Sequence, residues 1–91
     1  MYKETTVETN RAERLMKALC NHLGRKNTAG YEGNKGFVEF DYGKCEIEVD
    51  ENKMFFKLSA ENDESMTHLK FVVEKHLRKF SPDEEIEFNW G

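Results

Sequence analysis

No stretch of this sequence holds the ~18 consecutive apolar residues that a membrane-spanning helix needs. The opening Met1-Tyr2-Lys3-Glu4-Thr5-Thr6 lacks the apolar run of a secretory signal. Both absences point to the cytosol as the working compartment. Two cysteines allow at most one disulfide, so cross-links are not the expected source of stability. An excess of positive charge is also missing: 14 Lys and Arg stand against 18 Asp and Glu, for a net charge of −4. That sign is wrong for a sequence-independent nucleic-acid binder and mainly serves solubility. The sequence contains no GxSxG elbow, P-loop, dinucleotide fingerprint, HExxH or EF-hand loop. The reading therefore leans away from an enzyme acting alone, and no cofactor is implied.

What is present is 91 residues, 37% hydrophobic and 35% charged, enough for a single domain over residues 1–91 with one thin core. Thr5-Thr6-Val7-Glu8-Thr9 is rich in β-branched residues and predicts a first strand. Asn10 stands where a helix cap belongs, with Glu13 at the capping-box position. Ala12, Leu15, Met16, Leu19 and Leu23 follow at helical spacing, and Gly24 ends that helix. Asn27 to Gly36, with three glycines and two asparagines, predicts a long loop.

From Phe37 to Ala60 the period changes to two, broken at Tyr42-Gly43 and Glu51-Asn52, which predicts a three-stranded antiparallel meander. Two-residue turns at those breaks set Phe40 opposite Cys45, Val38 opposite Ile47, Val49 opposite Met54 and Ile47 opposite Phe56. Every inward pair is then apolar. Asn62 caps a second helix that begins with Asp63 and Glu64, carries Arg78 and Lys79 in its last turn, and stops at Ser81-Pro82. Glu85 to Trp90 alternates strictly and predicts a closing strand. The order is βαβββαβ. A sheet with one apolar face needs a cover, so the expected fold is α+β: a two-layer sandwich with a five-stranded, mostly antiparallel sheet and both helices on one face.

The residue types that attract metals are Cys20, His22, Cys45, His68 and His76. At roughly 100° per residue, Cys20 and His22 lie on opposite flanks of the first helix. Cys45 and His76 face the space between the layers, and His22 borders it. Thus His22, Cys45 and His76 form the one ligand or metal trio worth stating. The ordinary reading keeps Cys45 as a small buried hydrophobe and His76 as a hydrogen-bonded core-edge imidazole, with His68 in solvent.

Two surfaces offer binding instead. On the uncovered sheet face, the expected register places Phe37 and Phe55 on either side of Glu48. Outward rings on an open sheet can mark a contact surface for a second copy or a protein partner. Phe71 also points away from the apolar side of its helix. Residues 10–26 carry most of their charge as Arg11, Arg14, Lys17, Arg25 and Lys26, while residues 36–50 are mainly acidic. Arg25 and Lys26, beside the glycine-containing loop, form a candidate anion contact.

Leu15-Met16-Lys17-Ala18-Leu19-Cys20-Asn21-His22, then Gly43-Lys44-Cys45, then His76-Leu77-Arg78-Lys79-Phe80 and Trp90, resemble the bacterial family called domain of unknown function 2218. The resemblance covers nearly the whole chain. Family members often have a further His just before the lysine matching Lys26, where this chain has Arg25. Similar domains occur fused to siderophore-interacting flavin reductases, which implies an accessory or binding role near iron handling. The resulting expectation is a non-enzymatic cytoplasmic binding or accessory module that makes contact through the open sheet face. The alternative is a small-ligand- or metal-associated protein of iron, siderophore or redox metabolism.

Overall fold

In the computed structural model, which describes residues 1–90, the elements run β1 (Tyr2–Glu8), α1 (Ala12–Leu23), β2 (Thr28–Glu32), β3 (Lys35–Phe40), β4 (Gly43–Val49), β5 (Lys53–Ser59) and α2 (Asp63–Phe80). The five strands make one sheet in the order β1-β5-β4-β3-β2, with every neighbouring pair antiparallel. Alternation sends Val7, Val38, Cys45, Ile47, Met54, Phe56 and Leu58 to one face, where they close against Leu15, Met16 and Leu19 of α1 and Leu69, Val73 and Leu77 of α2. This is the two-layer α+β sandwich that the patterning predicts. Its other face is left open.

The fifth strand comes from a different segment than the sequence suggests. Residues 27–36 are not a loop: Thr28–Glu32 pairs with Lys35–Phe40 as the edge strand β2. Gly33 takes φ +60° at the first position of the two-residue turn and Asn34 has negative φ, the pattern of a hairpin that needs glycine first. With a single partner and only half-buried residues inward, β2 carries almost no hydrophobic alternation.

Residues 85–90, read as a strand, make no ladder. They run on the helix-covered side as a strap across the seam between α2 and β1. Ile86 is buried, Phe88 packs 6.4 Å from the Phe56 ring and stacks on Trp90 at 5.8 Å, and Trp90 Nε1 donates to Glu74 Oε2 on α2. The Asn89 backbone N–H donates to the Thr5 hydroxyl of β1, not to a backbone carbonyl. Period two reports an extended chain with one buried side, and packing across a seam satisfies it as well as pairing does.

Two local expectations also change. Asn10 does not cap α1: Arg11 holds the N-cap position without a side-chain cap bond, and Glu13 pairs with Lys17. Thr9 takes over the local anchoring, accepting from the Arg11 N–H and donating to Glu84 of the strap. The first meander hairpin turns at Asp41-Tyr42, so Phe40 faces Gly43 and Val38 faces Cys45, two residues from the expected register. The shift keeps every side chain on its expected face. Its cause lies under α2: a Cβ on Gly43 would sit 3.0 Å from Leu69 Cδ2 and 2.6 Å from the Ser59 carbonyl oxygen. Gly43 serves close packing, and the turn uses residues with negative φ. The second hairpin has the predicted register, with Val49 opposite Met54 and Ile47 opposite Phe56. Asn62 caps α2 as predicted, its Oδ1 accepting from the Ser65 N–H at 2.8 Å.

Candidate functional site

The register builds the uncovered face in rows. One row runs Gly30, Phe37, Glu46, Lys57, Glu4 across the five strands, and the next runs Glu32, Lys35, Glu48, Phe55, Thr6. Phe37 and Phe55 are half-buried and frame a depression of about 1090 Å³ on this face. The two rings therefore belong to different rows. Phe37 stands opposite Glu46, and Glu48 has Phe55 on one side and Lys35 on the other, so the arrangement of two rings around Glu48 is corrected by the two-residue shift.

The acidity expected on this face is interleaved with lysine. Lys35 Nζ lies 3.9 Å from Glu48 Oε1, and Lys44 Nζ lies 4.0 Å from Glu39 Oε1 and 3.7 Å from Glu46 Oε1. Such long, exposed pairs contribute little to stability, but they set a pattern of alternating sign. Phe37 has a structural task as well: its Cε1 lies 3.3 Å from where a Gly30 Cβ would be, so the ring covers a glycine of the edge strand. Sequence reasoning missed Gly30 because β2 was not recognised. The Gly33-Asn34 pair, a two-residue hairpin signal, would have revealed it.

At the other side of the molecule the C-terminal ends of α1 and α2 converge. The His22 and His76 rings lie 5.1 Å apart, and His22 meets Phe80 edge-on at 5.5 Å. His76 Nδ1 lies 2.7 Å from the Val72 carbonyl oxygen. A carbonyl only accepts, so Nδ1 carries the proton and Nε2 is the free nitrogen. His76 is thus half-buried on the flank that faces α1, not central in the helix's apolar side. His22 is held below the ordinary imidazole value, first by desolvation, then by His76, Lys79 and Arg25. Lys79 and Phe80, which the sequence reading did not assign here, follow His76 at the spacings that share a helix face.

Of the trio His22, Cys45 and His76, the structure brings the two imidazoles together. Cys45 is buried between Val38 and Leu58 in the sheet, its thiol pushed far up by burial. Among the described residues no group of three or more His, Cys, Asp or Glu gathers to hold a metal ion. Arg25 and Lys26 are exposed at the exit from α1. His68 is exposed with Tyr42 edge-on at 4.5 Å, and Phe71 is 60% exposed on α2. No helix is long and apolar enough to cross a membrane among the described residues.

No curated protein matches the sequence. Among solved structures, the NMR structure of PA4090 from Pseudomonas aeruginosa is similar, with a TM-score of 0.82 at 27% identity, over 100% of this chain and 96% of that one. The sequence model of a family described as uncharacterized protein conserved in bacteria, DUF2218, matches residues 4–91. Because that match takes in both helices, all but the first residues of β1, and the strap, the chain belongs to the DUF2218 family.

Proposed function

We propose that this chain is a non-enzymatic binding or accessory module that works through its open sheet face, and that the occupant of that face is a second copy of the same chain. The carrying observation is the pair of half-buried rings, Phe37 and Phe55, set in a depression of about 1090 Å³ on the side that the helices leave uncovered. Apolar surface of this kind on a sheet face gains by being removed from water.

The interleaved charges favour a second copy over a partner of uniform sign. Glu4, Glu32, Glu39, Glu46 and Glu48 are interspersed with Lys35, Lys44 and Lys57, so a second copy related by a two-fold axis can set its lysines against glutamates. A partner of uniform sign would meet repulsion from the groups that match its charge. Size sets the strength. At ~4.8 Å between strands and ~3.4 Å per residue, five strands of this length offer roughly 20 by 20 Å, or roughly 400 Å² per copy. Two such faces bury roughly 800 Å² in total, below the ~1,200 Å² of stable specific interfaces, which corresponds to a weak, reversible dimer.

The metal-associated form of the alternative role in iron, siderophore or redox metabolism needs His22, Cys45 and His76 to act together. Two imidazoles without a third donor fall short of the usual ligand count. Sedimentation velocity from about 20 µM to about 1 mM tests the proposal. Wild type should move from monomer toward dimer, and Phe37→Ser with Phe55→Ser, less stable but still folded by circular dichroism, should remain monomeric. A wild type that stays monomeric throughout would overturn the second-copy occupant, and so would a dimer that the double substitution leaves intact.

A further inference from the structure

The cluster at the converging helix ends is independent of the open face. His22 and His76 lie ring to ring at 5.1 Å, Phe80 closes one edge, and the charges of Lys79 and Arg25 reach His22. The charged groups acting on His22 are all cationic: His76 and Lys79 of α2, and Arg25 after α1. Among the described residues, Arg25, Lys26 and Lys79 have no carboxylate within ion-pairing distance, in contrast to Arg11, Lys17 and Arg78.

Basic residues near helix C-termini often serve as dipole partners or caps. Here four carbonyls at these ends already take donors from the backbone and from Asn27. Cys20 O accepts from the Gly24 N–H, His22 O from the Arg25 N–H, Leu23 O from the Lys26 N–H and Asn27 Nδ2, and Arg78 O from the Ser81 N–H. Neither the Arg25 nor the Lys79 side chain takes part in these bonds. A metal cation is a poor one, since it would meet a guanidinium and an ammonium with only two imidazoles to ligate it.

We propose that His22, His76, Arg25 and Lys79 form a binding site for a phosphate-class oxyanion, and that the anion is taken up together with a proton. Arg25 supplies a planar fork matched to paired oxygens, and Lys79 supplies a point charge. With His76 Nδ1 committed to Val72 O, its Nε2 donates to an anion only after taking a proton. Two adjacent imidazolium rings repel one another, and a bound dianion removes that repulsion. Anion and proton therefore favour each other's binding by the same factor.

The test follows the His22 ring proton by NMR from pH 5 to 8 in sodium sulfate and in sodium chloride at equal ionic strength. Sulfate stays a dianion across this range, so any pH dependence belongs to the protein. The His22 titration midpoint should be higher in sulfate, and sulfate binding should weaken with rising pH by up to about tenfold per unit for each coupled proton. Arg25→Gln with Lys79→Gln should abolish the difference while leaving the circular dichroism unchanged. Lys35→Gln with Lys53→Gln, an equal loss of charge on the sheet, should preserve it. A His22 midpoint that is the same in both salts, or a sulfate effect that survives Arg25→Gln with Lys79→Gln, overturns the proposal. Inorganic phosphate and adenosine monophosphate then separate the sources: equal binding marks a free oxyanion, and tighter binding of the nucleotide marks the phosphoryl end of a larger metabolite.

Discussion

Replacing Gly43 by alanine tests both the register of the first hairpin and the reason for it. The added Cβ would lie 2.6 Å from the Ser59 carbonyl oxygen and 3.0 Å from Leu69 Cδ2. The leucine tip can move, but the carbonyl belongs to β5, which is held between β1 and β4. Relief therefore requires β4 or β5 to shift beneath α2. Overpacking of this kind typically costs about 1–3 kcal/mol, and a backbone obstacle places this site at the upper end. Loss of glycine freedom in the unfolded chain offsets about 0.5–1 kcal/mol. The net expectation is a destabilisation of about 2 kcal/mol, or a fall in Tm of roughly 8–16 °C for a domain of this size. Far-UV circular dichroism during thermal and urea unfolding measures it. Gly33→Ala is the contrast: its φ of +60° carries a backbone cost, but nothing lies within 4 Å of the new Cβ, so about 1 kcal/mol is expected. If Gly43→Ala changes stability by less than about 0.5 kcal/mol, Gly43 occupies an open turn and the assigned register is wrong.

Cys20 and Cys45 are free and buried, and burial pushes both thiols up. Neither should react with Ellman's reagent within minutes at pH 8 in the native protein, and both should react in denaturant. Ile86→Ala should destabilise by about 2–4 kcal/mol in urea unfolding, because Ile86 is the buried anchor of the strap; a cost below 1 kcal/mol would mean that the strap is loosely held. His22 has a lowered affinity for its proton in the folded state, so the unfolded chain binds more protons as pH falls through the ordinary value of 6.5. Stability should therefore be complete above that value and decline as pH drops toward the lowered one, and His22→Gln should flatten this slope in Tm measured from pH 7 to 5 in chloride.

The elements that sequence revealed are those whose patterning is decided locally. Val49-to-Met54 pairing was legible because a one-residue slip would bury glutamate, and the α2 cap because Asn62 needs only its own first turn. β2 was hidden because an edge strand with Gly30 at its centre shows little alternation; its ring cover, Phe37, comes from the neighbouring strand. The strap looked like a strand because alternation records burial of one side, whatever the backbone bonds to. Phe37 and Phe55 were correctly placed outward, since the two-residue shift preserves parity, but their rows were not. The His22–His76 contact depends on how α1 and α2 converge, which helical periodicity within either segment does not encode.

If the open sheet face is a contact surface, an NMR dilution series on uniformly ¹⁵N-labelled protein reports it residue by residue. Between about 1 mM and 20 µM, concentration-dependent amide shifts are predicted on β3, β4 and β5 around Phe37, Glu46, Glu48, Phe55 and Lys57, and should vanish in Phe37→Ser with Phe55→Ser. Spectra unchanged by dilution, or shifts confined to the helical side around Phe71 and His68, would contradict it.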